Sequence, residues 1–359
     1  MARPPAVPFF MLIHPYPIQL VGAGGIVRDA HLPAYRLAGF PVAGVVDLDS
    51  AKAMQLAADF GLPRVDASLA AAIRASSPET IYDVAVPATA IESVLRELPD
   101  GAAVLIQKPF GADLAQARAL LRLCRAKRLR AAVNFQLRFA PAIAAARRLI
   151  AEGAIGELHD VEVRVTVHMP WHLWSFLATS PRLEILYHSI HYVDLIRSFL
   201  GEPRGVYAKT VRHPSTPQLA STRTTMALDY GDFTRATITT NHAHDFGPHH
   251  QESYVKWEGT RGAIRTQLGL LLDYPRGGRD VLEVCSVAPG DTVREWREIP
   301  VEGSWFPHAF IGTMESLQRY AAGETTELPT RVEDAFRTMA VVEAAYQSSA
   351  DGATPIPNF

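Results

Sequence analysis

From Ile18 to Asp49 the chain reads IQLVGAGGIVRDAHLPAYRLAGFPVAGVVDLD. An apolar strand runs into three glycines, helical spacing follows, and a second apolar strand closes on an acid. That order is a βαβ unit. Parallel strands joined through a helix commit the segment to a sheet covered on both faces. Gly22 permits the tight turn, and Gly24 lets backbone approach a pyrophosphate, whose charge the helix start beyond Gly25 favours. Ile26 follows, and Val27 takes the third glycine position of GxGxxG. Glycine-rich turns are common, so the turn alone is a weak signal. Asp47 strengthens it, about twenty residues on at a strand end, where a carboxylate binds both hydroxyls of an adenosine ribose. The blander reading makes Asp47, with Asp49 and Ser50, a cap for the next helix. Asp47 also opposes a 2′-phosphate, and neither Leu48 nor Ser50 brings positive charge, so NAD is favoured over NADP.

The alternation continues. YDVAVP, AAVLIQKP and AAVNFQLRF read as strands, with TAIESVLREL and ADLAQARALLRLCRAKR as helices between them. The fold class is therefore α/β, a doubly wound parallel sheet, whose ligands sit beyond the carboxyl ends of the strands. Pro87, Gln107, Lys108 and Gln136 fall at such ends and join the cofactor-binding candidates. A chain of 359 residues exceeds what one core organises. The expected division is 1–137 for the nucleotide-binding domain and 138–359 for a second domain. RTTMALDYGDFTRATITTNHAH and DVLEVCSVAPGDTVREWREIPV read as antiparallel strands of that second domain, and HPSTPQLAST as a mobile loop at 213–222.

Composition narrows the partners. With 48% hydrophobic and 20% charged residues and a net charge of -2, the chain has no basic field for nucleic acid or an anionic membrane. Cys124 and Cys285 form no CxxC pattern, which argues against a disulfide framework or zinc module and for a reducing compartment. The start, MARPPAVPFFMLIHPYP, reads as a loose leader and not a signal peptide. No apolar run reaches the ~18 residues of a membrane span, so a cytoplasmic protein is expected.

The pieces then fall into a known order. VGAGGIVRDAHLPAY, the strand-end Asp47, VPATAI at a TPNxxH position, QKPFG at an EKP position, NFQLRFAP, IAEGAIGEL, IHYVDLIRSFLG, WEGTRGAI and TRVEDAFRTMAVVEAAYQSS span nearly the whole chain. In this order the chain resembles the glucose-fructose oxidoreductase, inositol dehydrogenase and rhizopine catabolism (Gfo/Idh/MocA) family. The resemblance implies an NAD(P)-dependent dehydrogenase with a Rossmann domain. It also implies a C-terminal α+β domain whose large, mostly antiparallel open sheet serves a homodimer or homotetramer. Substrates of the family are mostly sugars, polyols and their derivatives. Its working groups are the Lys of EKP and an Asp/His pair spaced DxxxH. They fall on Lys108 and His191, with Tyr187 where the Asp is expected. Gln107 replaces the Glu of EKP, and Ile91 the histidine of TPNxxH.

Oxidising an alcohol requires a base beside the carbon that loses hydride. Lys108, following the apolar AVLI and followed by Pro109, is placed for partial burial, which lowers an ammonium pKa. A lysine that merely ends a strand is the blander reading. His191 is the leading general base because imidazole titrates near neutrality; a satisfied core histidine is the alternative. SPRLEILYHSIHYVDLIRSFLG is expected to be one helix, capped by Ser180, with Pro181 in its first turn and Gly201 at its end. Its apolar stripe is Leu186, Ile190, Val193 and Leu200. Glu184, His188, His191 and Leu195 form the opposite one, with Tyr187 and Asp194 beside it, a face polar enough to line a cleft.

A shared metal is disfavoured. Glu184 and His191 lie roughly 10 Å apart along the axis at the helical rise, while metal bonds are about 2 Å. Two readings of the missing Asp stay open: Glu184 and His188 supply an ExxxH pair in shifted register, or Tyr187 offers its hydroxyl. Catalytic candidates are thus Lys108, His191, Tyr187 and His188. Lys108, Glu184, Trp174, Arg182 and His191 are the substrate-binding ones. Trp171 and Trp174 stack on a sugar or close the core; Arg182 contacts substrate or starts a solvated helix. His242 and His244 share a strand face and rank second. The expected function is NAD-dependent hydride transfer at a hydroxyl or keto carbon of a sugar, glycoside or polyol. The alternatives are a redox-assisted glycosidase or lyase, and a non-catalytic NAD-responsive binding protein.

Overall fold

The computed structural model describes residues 14–173, 175–288, 290 and 292–357. Trp174 and most of the expected leader lie outside the described residues. The chain divides into two compact units, one comprising residues up to Pro141 with Trp305–Phe336, the other Ala142–Ser304 with the residues from Arg337 on.

The first unit holds β1 (Ile18–Val21), β2 (Val42–Val46), β3 (Ile81–Val84), β4 (Ala103–Ile106) and β5 (Arg130–Val133), ordered β2-β1-β3-β4-β5. All pairings are parallel. Every residue of β1, β3 and β4 is buried, as strands covered on both faces must be. Strand order reverses at β1, so the turns after β1 and β3 flank the switch point where such sheets open a crevice. Asp49 caps the helix Ser50–Phe60 by accepting from the N–H groups of Ala51 and Lys52. The later helix His308–Ala321 also belongs here, packing Phe310, Ile311, Met314 and Leu317 into one core with Leu20, Leu56 and Leu105. Each such side chain withdrawn from water contributes about 1.5–3 kcal/mol before entropy is counted.

The helix after the glycine turn is not uniform. Val27–His31 is a π turn, continued by the α-helix Leu32–Ala38, which Gly39 ends in the left-handed region at φ 69°.

The second unit is built on an eight-stranded sheet. Its strands are β6 (Leu158–Thr166), β7 (Gly205–Val211), β8 (Arg223–Asp229), β9 (Arg235–Asn241), β10 (Glu252–Gly259), β11 (Gly262–Gln267), β12 (Val281–Ser286) and β13 (Arg297–Ile299). The order is β13-β12-β11-β10-β6-β9-β8-β7, antiparallel except for β6 beside β9. Burial alternates with period two: Thr224, Met226 and Leu228 on β8, Ala236, Ile238 and Thr240 on β9, and Val161, Val163 and Val165 on β6 face inward. The fold class is as the sequence implies, a parallel Rossmann sheet followed by a mostly antiparallel one. The segment 213–222 forms neither strand nor helix, yet Leu219, Ser221 and Thr222 are buried.

The helix read from Ser180 to Gly201 begins later than expected. Helical structure starts at Glu184, passes through a π turn at Ile185–Ser189, and becomes the α-helix Ile190–Leu200. Ser180 does not cap it; its hydroxyl donates to the Arg182 carbonyl. Gly201 does end it, at φ 77°.

Candidate active site

Gly22 sits at φ +111°, and a Cβ there would lie 2.3 Å from the Ala85 carbonyl oxygen just past β3, so no other residue fits the turn. At Gly24 a Cβ would meet nothing within 4 Å, and at Gly25 only Asp29 Oδ2 at 3.7 Å, so open space adjoins the backbone here. Asp47 closes one side. Its Oδ2 accepts the Ala23 N–H at 2.7 Å and its Oδ1 the Asp49 N–H at 2.8 Å. Asp49, not Asp47, caps the next helix, which leaves the Asp47 carboxylate fixed at the lip of the glycine turn. A glycine turn opening onto space beside a strand-end acid fits the pyrophosphate and ribose of NAD. Val27 is fully buried, and Ile26 packs against the same core, so these two side chains support the turn from behind. Pro87 is exposed at the end of β3, while Ile91, at the TPNxxH histidine position, is fully buried.

Lys108 follows β4 and is half-buried. Loss of hydration draws its amine from an ordinary 10.5 down to about 8. Its backbone N–H donates to Gln107 Oε1 at 2.7 Å, and the Lys108–Pro109 peptide is cis. Gln136, 1% exposed, opens the short helix Gln136–Phe139, and among the described residues its Oε1 meets no hydrogen-bond donor.

In the second unit the face expected to line a cleft is mostly covered. Glu184 is 0%, His191 7% and Asp194 1% exposed, while His188 and Tyr187 are half-buried. Glu184 Oε1 accepts the Ser189 hydroxyl at 2.7 Å, and His242 Nε2 stands 3.3 Å from the same oxygen. Burial pushes the Glu184 carboxyl up, but bonds from His242, Thr224 and Ser189 outweigh it and hold the group below its ordinary range. His242 follows β9 directly and is pinned by its own backbone, which donates to Thr222 and accepts from Met169. The His188 and His242 rings are 4.5 Å apart, with Trp171 edge-on to them at 5.0 and 6.0 Å.

Glu184, expected to touch substrate, is therefore buried against His242. Arg182 also turns inward, holding both Glu343 oxygens at 2.7 Å with its guanidinium 4.8 Å from the centre of the Tyr346 ring. Tyr187 joins Trp171 on a small apolar cluster of Leu177, Leu183 and Leu219, and burial raises its phenol. Asp194 accepts from Thr338, tying the helix to the end of the chain. His249 and His250 are exposed, and among the described residues no three His, Cys, Asp or Glu side chains gather as a metal site.

Residues 17–135 match the model of an oxidoreductase family with an NAD-binding Rossmann fold, and residues 143–265 match the GFO/IDH/MocA C-terminal domain. The chain belongs to the Gfo/Idh/MocA oxidoreductase family. An uncharacterized oxidoreductase of Escherichia coli, YhhX, is 30% identical over 274 residues, 75% of this chain and 69% of that one. The D-apiose dehydrogenase of Paraburkholderia graminis is 26% identical over 346 residues, 93% of this chain and 88% of that enzyme. An oxidoreductase from Agrobacterium radiobacter, solved in complex with NAD+, L-tartaric acid and magnesium, has the same fold. It is 23% identical, with TM-score 0.78 over 95% of this chain and 98% of that one. The helix carries its buried carboxylate at Glu184, one turn before Tyr187. The sequence does not single out His242, because only the course of the chain past β9 brings it to Glu184. The signal was an acid set in an otherwise apolar stretch, LEIL, which burial obliges to find a partner.

Proposed function

We propose that the chain is an NAD-dependent dehydrogenase acting on a hydroxyl or keto carbon of a sugar or polyol. The observation that carries this reading is the pairing, in one Rossmann unit, of Asp47 fixed at the glycine turn with an amine at Lys108 whose pKa burial has lowered. Bound NAD would supply the hydride acceptor. Ala23, Gly24 and Asp47 would hold its pyrophosphate and ribose, and Gln107, Lys108, Pro87 and Gln136 would border its reactive end. Asp47 favours NAD over its 2′-phosphorylated form. Lys108 polarises the substrate oxygen, and His191 exchanges the hydroxyl proton. Tyr187 and His188 support that exchange, and Glu184 acts from behind through His242.

The reading draws on the named activities of relatives, D-apiose dehydrogenase and a D-xylose 1-dehydrogenase of Haloferax volcanii among them. A pentose or its polyol is accordingly the first substrate class to test. The protein works in the cytoplasm as a homodimer or homotetramer assembled through the sheet β6–β13. Tyr207 on edge strand β7 is 72% exposed, a large ring at the place where such an assembly would cover it. Incubation with NAD and a panel of pentoses, hexoses, sugar acids and polyols, read as NADH absorbance, tests the proposal. NAD binding with no NADH across the panel would overturn the dehydrogenase.

A further inference from the structure

Beside Lys108 the first unit buries a polar cluster whose His31, Asp83 and Tyr35 have no part in the reaction above. His31, from the π turn Val27–His31, Asp83 on β3 and Tyr35 are 0%, 0% and 1% exposed. His31 Nδ1 lies 2.6 Å from Asp83 Oδ2, and the Tyr35 hydroxyl donates to the same oxygen at 2.7 Å. Across the ring, Gln107 Nε2 and Asn134 Nδ2 each stand 3.3 Å from His31 Nε2. The Phe310 ring, at 5.0 Å, adds an apolar wall.

The orientation of one amide settles the protons. A backbone N–H only donates, and that of Lys108 meets Gln107 at 2.7 Å, so the oxygen of this amide faces Lys108. Its NH2 then faces His31. An amide NH2 also only donates, so His31 Nε2 accepts and the ring proton sits on Nδ1, shared with Asp83.

We propose that Gln107 is a positioning residue, its amide clamped between Lys108 and the Nδ1–H tautomer of His31, so that a buried neutral histidine fixes the backbone from which Lys108 projects. The role for Lys108 rests on the dehydrogenase reading; the tautomer does not. Gln107→Glu would turn an acceptor toward His31 Nε2. The ring would then take up one proton from solvent, and the cluster would keep the same net charge.

The test is ¹⁵N spectroscopy of full-length, histidine-labelled protein. His31→Asn identifies the His31 signals, and if that variant fails to fold, the pair of signals that moves in Gln107→Glu identifies them. A protonated Nδ1 beside an unprotonated Nε2 in the wild type, with both nitrogens protonated in Gln107→Glu, is the expected result. A wild-type ring protonated on Nε2, or no change in Gln107→Glu, overturns the tautomer. In parallel, Gln107→Met, which cannot accept from Lys108, is expected to lower kcat about tenfold or more through misplacement of the amine, with Gln107→Glu recovering part of that loss. Turnover of Gln107→Met equal to wild type overturns the positioning role. Wild type inactive on every substrate condemns the dehydrogenase reading and leaves the spectroscopic arm standing.

Discussion

His242 Nε2 lies 3.3 Å from Glu184 Oε1, and both side chains are fully buried. Such a pair is worth most through what its loss leaves behind. His242→Ala strands a carboxylate in the interior, which costs on the order of 3–5 kcal/mol. Glu184→Gln with His242→Gln removes the charge and its partner together, and the double variant should be more stable than the two single losses sum to, by roughly 0.5–3 kcal/mol. Thermal unfolding of the four proteins measures this. Additive losses would mean that the two groups do not act on each other.

The same carboxylate shapes acid stability. Its folded pKa lies below the ordinary 4.5, so its contribution is present above that value and disappears as pH falls through the lower folded one. Glu184→Gln should therefore flatten the fall of Tm with pH below about 4.5. An unchanged acid slope in the variant would contradict an ionised Glu184.

Lys108 sets a limb at the other end of the scale. Its ammonium loses its proton as pH rises through about 8, so the oxygen it polarises loses its cationic partner and the rate of alcohol oxidation should fall above that value. Lys108→Met is expected to lower kcat about 10²–10⁴-fold with NAD affinity little altered. Lys108→Arg, charged throughout, should abolish the limb. A Lys108→Arg profile superimposable on the wild type would assign the limb elsewhere.

Gly22→Ala forces a Cβ to within 2.3 Å of the Ala85 carbonyl at a positive φ. Backbone strain alone contributes about 1–3 kcal/mol, and the displaced turn should no longer bind NAD. Calorimetric titration with NAD checks it; unaltered affinity would show that the turn tolerates the methyl group.

Cofactor choice rests on Asp47 and its exposed neighbour Leu48. Asp47→Ser with Leu48→Arg removes the charge opposing a 2′-phosphate and adds one that attracts it. Each charged hydrogen bond is worth about 1.5–3 kcal/mol, so the ratio of kcat/KM for NADP over NAD should rise by roughly tenfold or more. A constant ratio would exclude Asp47 from the ribose site.

What could be read from the sequence was local. The glycine turn, Asp47 at its strand end, Lys108 after AVLI and the alternating strands of the second unit depend on neighbours in the chain and on periods of two or 3.6. Glu184 with His242, and His31 with Asp83, are meetings between distant segments. They follow from strand register and from the cost of a buried charge, which flags Glu184 and Asp83 but does not name a partner. The helix expected from Ser180 begins at Glu184, and a regular 3.6-residue spacing does not describe its widened turn at Ile185–Ser189. The polar stripe of Glu184, His191 and Asp194 lies largely in the interior, a matter of tertiary packing that helical spacing alone does not report.

Both units place that widened turn beside a histidine, at Val27–His31 and at Ile185–Ser189. Such a turn holds one surplus residue, so the helix on either side keeps its own rotational phase. Shortening 185–189 by one residue would let an ordinary α-helix close and swing Glu184 by about 100° around the axis, away from His242, while Ile190–Leu200 stayed seated. The segment therefore works as a phase shifter. Tyr187, four residues before His191, lies inside it, where α-helical spacing does not hold.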